Sequence, residues 1–315
     1  MKASSTQIQT YTNKLYRTGL STYQASDFRE KEKLAVNSIG IEYQNDLSDT
    51  DILVTNTHLN LKDLDQKELE KVKLIIHPNS GYDNFDPSIV RSLSAPIILG
   101  NEIRAQAVAT YILGCFYHAF STPPFSTSWD KSRSWKRKSL EELNIQIIGN
   151  GHIAKILHQS LSPHANQISI YDPYTNNNEM NTQANCIIMA CSLNKLNQEM
   201  INSSFLKQLN EDCVFINAAR GGLVQMNDLI EWLNIRPKAK AYLDVFHPEP
   251  FDFSMMPANS FNTSHLAGVD EQLDQRIINF VTKVSKDWLS LSAKDFDSRW
   301  SNVYLSKKII KNEFI

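Results

Sequence analysis

Residues 145–154 read Ile145-Gln146-Ile147-Ile148-Gly149-Asn150-Gly151-His152-Ile153-Ala154, an apolar run that meets a G-x-G-x-x-A pattern without a break. Only 10 glycines occur among 315 residues, about half the usual share, so two of them two apart stand out. The pattern has a physical reading. Gly149 permits a tight strand-to-helix turn, Gly151 lets a diphosphate approach the backbone, and small Ala154 lets helix and strand pack closely. The helix N-terminus that follows offers free N–H donors and a partial positive charge. Asp172 closes the next apolar run, Ile168-Ser169-Ile170-Tyr171, at the roughly twenty-residue spacing at which a carboxylate accepts ribose hydroxyls and repels a 2′-phosphate. Together these predict a dinucleotide site, with NAD favoured over NADP.

The surrounding pattern is α/β. Ile52-Leu53-Val54, Leu74-Ile75-Ile76 and Ile97-Ile98-Leu99 read as short buried strands, with a surface helix over 61–72 between the first two. Residues 105–120 are apolar almost all round and predict a buried helix. Residues 121–138 read as an irregular connection. A second alternating series follows: strands at 145–148, 168–171, 186–189, 214–216, 239–243 and 262–264, with helices at 153–161, 223–233 and 271–289. This rhythm implies parallel sheets. The first forty residues fit it poorly.

Composition narrows the function classes. A net charge of −2 gives no electrostatic footprint for nucleic acid. No apolar run reaches the length of a membrane span, and residues 1–7 lack the apolar core of a secretory signal; a cytoplasmic protein is expected. Cys115, Cys186, Cys191 and Cys213 form no C-x-x-C pair and read as free thiols. The histidines His77, His118, His152, His158, His164 and His247 have no metal-ligand spacing and read as structural or surface residues, so no metal is expected. Trp129, Trp135, Trp232, Trp288 and Trp300 read as packing or interface residues.

Three further segments each end a predicted strand: Asn217-Ala218-Ala219-Arg220-Gly221-Gly222, Asp244-Val245-Phe246-His247-Pro248-Glu249-Pro250, and Asn262-Thr263-Ser264-His265-Leu266-Ala267-Gly268. Ligands of doubly wound sheets bind outside the carboxyl ends of the strands, so Arg220, Glu249 and His265 can converge although they are far apart in sequence. An arginine forks onto a carboxylate or a polarised carbonyl, a histidine gives or takes a proton near neutrality, and a carboxylate fixes the imidazole and stabilises its charged form. Singly, each of the three is an ordinary surface or structural residue.

In this order, with Tyr171-Asp172-Pro173-Tyr174 and Gly81-Tyr82-Asp83-Asn84-Phe85-Asp86, the motifs resemble the D-isomer-specific 2-hydroxyacid dehydrogenase family over about residues 50–285. The resemblance implies two doubly wound parallel-sheet domains. A Rossmann-type NAD-binding domain (102–285) would be inserted into a smaller flavodoxin-like substrate domain built from 1–101 and a return segment, 286–315. It implies Arg220, Glu249 and His265 as the catalytic residues. It implies Gly149, Asn150, Gly151, His152, Ile153, Asp172, Cys191, Ser192, Ala218, Ala219, Arg220, Asp244, His265 and Gly268 around the cofactor, and Asn79, Ser80, Gly81, Arg104 and Arg220 around the substrate. NADH would deliver hydride to the carbonyl carbon of a 2-oxoacid, and His265 would protonate the forming alkoxide. Closure of the domains would exclude water. A homodimer through the NAD-binding domains is expected. The family also contains a corepressor branch, so an NAD(H)-sensing regulator is the alternative; the intact Arg–Glu–His set favours turnover.

The chain departs from the family pattern in places. Ser264 replaces the usual proline before the histidine, Ser192 the usual proline after the third strand of the nucleotide domain, and Asn79 a frequent glycine. The helix start reads Val108-Ala109-Thr110-Tyr111. The strand end Thr55-Asn56-Thr57-His58 holds no lysine or arginine for a phosphorylated substrate, and Gly268 stands where lactate-type members place an aromatic. Arg104 is expected to meet a second polar or acidic group on the substrate.

Overall fold

The computed structural model describes residues 13–123, 125–133, 139–175, 177–310 and 313–315; residues 1–7 and Trp135, read above from sequence, lie outside them. The chain divides into two compact units, one from residues up to Arg104 together with Asp270–Phe314, the other Ala105–Val269.

The first unit begins with strand β1 (Asn13–Arg17), helix α1 (Phe28–Ser38) and strand β2 (Ile41–Gln44), so the poorly patterned stretch is, from residue 13 on, a β-α-β element. Their signal is hidden by a buried ion pair. Arg17 and Glu32 are 3% and 0% exposed. They meet as a fork, Nε to Oε2 at 2.6 Å and Nη2 to Oε1 at 2.5 Å, and the Tyr43 hydroxyl donates to Oε2 at 2.8 Å. A charge inside a strand and another on the inner face of α1 disguise both as surface segments.

Strand β3 (Ile52–Val54), helix α2 (Gln66–Leu69), strand β4 (Leu74–His77), helix α3 (Pro87–Ser92) and strand β5 (Ile97–Leu99) follow. The sheet order is β2-β1-β3-β4-β5, all parallel, the flavodoxin-like order. The helix expected over 61–72 is not continuous. Leu61–Asp63 forms one tight turn, Leu64 is extended, and Asp65 opens a new start by accepting from the N–H groups of Lys67 and Glu68. Local side-chain capping outweighs the periodicity there.

The second unit opens with helix α4 (Ala105–Ser121). Only one face of it is buried, through Ala105, Val108, Ala109, Ile112 and Phe116; Gln106, Thr110, Gly114, Tyr117 and His118 are exposed, which corrects the expectation of an all-round buried helix. Strand β6 (Asn144–Ile148), helix α5 (His152–Leu161), strands β7 (Gln167–Tyr171) and β8 (Cys186–Met189), helix α6 (Ser203–Leu206), strand β9 (Val214–Asn217), helix α7 (Met226–Ile235) and strands β10 (Lys240–Leu243) and β11 (Ser260–Asn262) complete it. The parallel order is β11-β10-β9-β8-β6-β7. The Rossmann order 3-2-1-4-5-6 places a further strand outside the second; among the described residues none lies outside β7, and β11 extends the opposite edge. One face packs Ile187, Met189, Phe215 and Leu243 against Phe205, Leu229 and Trp232; the other packs Ile145, Ile147, Ile188 and Ile216 against α4 and α5. Burial on both faces is why these strands read as unbroken apolar runs.

Helix α7 starts at Met226 rather than 223, because Gly221–Leu223 is a tight turn and Val224 is extended. Helices α8 (Leu273–Ser290) and α9 (Ala293–Trp300) and the antiparallel pair β12 (Ile309–Ile310) and β13 (Glu313–Phe314) return to the first unit. The units part at 104/105 and 269/270, against 101/102 and 285/286 from sequence. The second boundary moves because α8 packs its apolar face on α1.

Gly221 lies directly under another loop, where an added Cβ would sit 2.0 Å from the backbone carbon and oxygen of Phe246. Backbone cannot yield as a flexible side chain can. Gly221→Ala is expected to lower stability by at least about 2 kcal/mol, read as a shift in the urea midpoint; an unchanged midpoint would contradict this packing.

Candidate active site

Because every strand of the second unit runs the same way, all their carboxyl ends lie along one edge. The fingerprint residues leave β6 there. Gly149 has φ +112°, and an added Cβ would lie 2.5 Å from the Ala190 carbonyl oxygen and 2.8 Å from the Cys191 nitrogen. Glycine is thus required both by conformation and by close approach to the end of β8. Gly151 caps α5 with extended backbone, and no side chain caps that helix. Around Gly151 a Cβ would meet nothing within 4 Å, so the space beside this turn is open. Ala154 is fully buried, as the packing of helix on strand demands. His152 and Ile153 form the first turn of α5 and are partly buried.

Asp172 follows β7 and reaches back to the fingerprint. Its Oδ2 accepts from the Asn150 N–H at 2.9 Å and its Oδ1 from the Tyr174 N–H at 2.9 Å, while the Asn150 side chain donates to Thr175 at 3.2 Å. An ionised carboxylate has about four acceptor positions, so capacity for two hydroxyl donors remains. Cys191 and Ser192 leave β8; burial pushes the Cys191 thiol up to about 12 and the Cys115 thiol up to about 11. Both are protonated at neutral pH and are not nucleophiles.

At the end of β9 the fully buried Asn217 shapes the next loop: its Oδ1 accepts from the Ala219 N–H at 3.0 Å and its Nδ2 donates to the Arg220 carbonyl at 3.0 Å. Ala218 is buried beside it. The Arg220 side chain turns back, donating through Nη1 to the Ala219 carbonyl at 2.9 Å. Asn217 was not singled out from sequence. Its only signal is an amide ending an apolar strand, a position that seldom takes a buried polar side chain unless it is fully bonded.

Asp244, at the end of β10 and 1% exposed, holds the histidine loop. Its main-chain oxygen accepts from the His265 N–H at 2.7 Å. Its carboxylate accepts from the N–H groups of Leu266 at 2.8 Å and Ala267 at 2.9 Å and from the Thr263 hydroxyl at 2.6 Å. Thr263 in turn bonds the Tyr111 hydroxyl of α4 at 2.7 Å. This clamp holds His265 at φ +55°, left-handed backbone that costs a side-chain-bearing residue about 1–2 kcal/mol. His265 Nδ1 meets Glu249 Oε2 at 2.9 Å, and Glu249 Oε1 accepts from the Phe246 N–H at 2.9 Å. The pair is half-exposed, and no described residue bonds Nε2. With the carboxylate on Nδ1, that nitrogen carries hydrogen, and Nε2 is left to accept or donate a proton. Gly268 lies just beyond, partly buried.

Of the expected substrate residues, Asn79, Ser80, Gly81 and Arg104 lie in the first unit and Arg220 in the second. Asn79, Ser80 and Gly81 follow β4; the Gly100 N–H after β5 donates to the carbonyls of His77 at 2.8 Å and Asn79 at 3.1 Å. The structure brings Arg104 to this loop: its Nε donates to Asn79 Oδ1 at 3.3 Å, and its guanidinium bonds the Tyr23 hydroxyl and lies over the Tyr23 ring at 4.9 Å. Tyr23, in the poorly patterned first forty residues, had no signal of its own.

Comparison with known proteins matches residues 125–267 to the family described as D-isomer specific 2-hydroxyacid dehydrogenase, NAD binding domain. An erythronate-4-phosphate dehydrogenase of Legionella pneumophila (strain Lens) is 22% identical over 281 residues, 81% of this chain and 75% of that protein. Among solved structures, the fold is shared with an NAD+-bound 3-phosphoglycerate dehydrogenase of Entamoeba histolytica (TM-score 0.70, 17% identity, 90% of this chain and 97% of that one). It is shared also with an Aquifex aeolicus D-lactate dehydrogenase complexed with NAD and lactic acid (TM-score 0.69, 16% identity, 93% and 99%). Over residues 125–267 the chain is thus similar to the NAD-binding domain of the D-isomer specific 2-hydroxyacid dehydrogenase family.

Proposed function

We propose that the protein interconverts a D-2-hydroxyacid and a 2-oxoacid with NAD, and that the His265–Glu249 pair is its acid/base. The observation that carries this reading is that pair at 2.9 Å, on a clamped loop at the carboxyl edge of an NAD-binding sheet. NAD, when bound, supplies or accepts the hydride. Its diphosphate fits the open backbone at Gly151 and the uncapped start of α5, and its adenosine ribose fits the remaining acceptor positions of Asp172.

The chain's own residues then divide the work. Glu249 keeps Nδ1 of His265 protonated and the ring oriented. In reduction, Nε2 gives its proton to the oxygen of the substrate carbonyl as hydride reaches the carbon; in oxidation it takes the hydroxyl proton. Arg220 binds the substrate carboxylate and polarises the carbonyl. In the first unit, the backbone N–H groups of Ser80 and Gly81 take carboxylate oxygens; no described residue bonds them. Cys191, Ser192, Ala218, Ala219 and Gly268 line the cofactor at the strand ends.

The substrate is read from the first unit. The strand end after β3 carries no cation, and Thr55 there is fully buried and bonded to His77 at 2.8 Å, which argues against a phosphorylated acid at that position. Arg104, held beside Asn79, fits a second polar or acidic group.

Three outcomes follow from these roles. With NADH and a panel of 2-oxoacids, absorbance at the nicotinamide band is expected to fall, and His265→Ala to slow turnover by about 10²–10⁴-fold. NADH binding that persists in the wild-type protein without turnover of any acid would favour the sensor alternative. Gly151→Ala, measured by fluorescence titration, is expected to weaken NADH by about tenfold or more, the size of a steric penalty of about 1.4 kcal/mol, while leaving the melting temperature nearly unchanged. Arg104→Ala is expected to reduce kcat/KM by about tenfold or more for acids with a second carboxylate, as loss of a charge-assisted hydrogen bond does. An unchanged ranking of acids would remove Arg104 from the substrate site.

A further inference from the structure

His77 ends β4 and is fully buried, and sequence gives it only a structural reading. Its surroundings are more specific. Nδ1 lies 2.8 Å from the Thr55 hydroxyl and Nε2 lies 2.9 Å from the Gly81 carbonyl oxygen. The ring packs edge-on against Phe85, with centroids 4.9 Å apart. A carbonyl oxygen only accepts, so Nε2 carries hydrogen and donates to Gly81. In the neutral ring the Thr55 hydroxyl then donates to Nδ1. The side chain therefore spans its own loop, from the end of β4 to the residue four positions on.

The loop has two further ties. The Asn79 N–H donates to the His77 carbonyl at 2.7 Å, and the Gly100 N–H donates to the Asn79 carbonyl at 3.1 Å. A trans peptide sets its C=O and N–H in opposite directions. With the Asn79 carbonyl drawn toward Gly100, the Ser80 N–H points the other way. With the Gly81 carbonyl drawn onto His77, the chain after Ser80 is fixed as well. Two backbone donors, Ser80 and Gly81, are left without a partner among the described residues, in a loop whose His77, Asn79 and Gly81 carbonyls are tied back.

We infer that His77 is a positioning residue for substrate binding: through its Nε2–H bond to the Gly81 carbonyl it holds the Ser80–Gly81 backbone as a pre-formed cradle for the carboxylate of a 2-oxoacid. The inference rests on the reading of residues 79–81 as the carboxylate loop. Without this tie, the loop loses one of its inward bonds, and a bound carboxylate must supply the ordering itself. The cost falls on affinity for the acid and not on the cofactor, whose residues belong to the other unit.

The test compares His77→Leu with His77→Gln, whose Nε2 donor reaches a similar distance from the backbone. His77→Leu is expected to raise KM for the best 2-oxoacid by about tenfold, the effect of one buried hydrogen bond, and to weaken oxamate binding to the NADH complex in parallel. NADH affinity, by fluorescence, and kcat are expected to stay within about twofold, since neither involves the loop's affinity for acid. His77→Gln is expected to restore most of the loss. If His77→Leu fails to fold, Thr55→Val removes the hydroxyl partner at nearly constant volume, and a smaller rise in KM is expected. An unchanged KM in a wild-type-like enzyme overturns the inference and leaves the dehydrogenase reading standing. Equal losses in the Leu and Gln variants, or parallel losses of NADH and acid affinity, also overturn it, because both indicate general loosening. A wild-type protein that neither turns over a 2-oxoacid nor binds oxamate removes the carboxylate loop itself, and the inference with it.

Discussion

A buried carboxylate bonded by main-chain N–H groups organises the candidate active site. Asp244 accepts four hydrogen bonds, three of them from consecutive residues, His265 to Ala267. Removing a carboxylate from water is expensive unless its acceptor positions are filled. Here the filling groups are the backbone of the loop that carries the proposed acid/base. Burial of Asp244 and placement of His265 are therefore one event. Folding of β10 into the sheet draws the loop onto Asp244, and the loop's bonds to Asp244 offset the left-handed backbone at His265.

The same economy of means recurs at the other strand ends. Asn217 fixes the backbone on both sides of Ala219, Asp172 ties β7 to the fingerprint turn, and Gly149 and Gly221 give up side chains so that two backbones can touch. In the first unit, His77 and Gly100 do for a carboxyl-end loop what Asp244 does in the second. In each case a group at the end of one strand fixes the backbone of a loop, and the groups left over are those proposed above to meet a ligand.

What could be read from sequence followed what the backbone demands locally. The fingerprint was legible because glycine at 149 and a small buried residue at 154 are stereochemical requirements, with Gly151 leaving open space between them, and the parallel strands because burial on both faces leaves unbroken apolar runs. The proposed Arg220, Glu249 and His265 became visible together only through their order along the chain; singly they look like surface residues. The misses have physical causes. The Arg17–Glu32 pair puts charges where apolar residues are expected, so β1 and α1 carried no strand or helix signal. Asp65 captures two N–H groups and splits the helix expected over 61–72. The apolar circumference of α4 predicted burial on all sides, whereas one face stands open in the chain. Tertiary partners such as His77 with Gly81, Tyr111 with Thr263 and Arg104 with Tyr23 depend on contacts that no local pattern encodes.

The central claim is that hydride moves between nicotinamide and the C2 carbon of a 2-oxoacid beside His265. It is tested most directly by supplying NADH deuterated at the transferable ring position and following the label. The account predicts a D-2-hydroxyacid with one deuterium at C2, seen by mass spectrometry and chiral separation, and none at C2 when the label is supplied only in the solvent. An unlabelled product, a product of the opposite configuration, or NADH that binds and is not oxidised by any 2-oxoacid would contradict it.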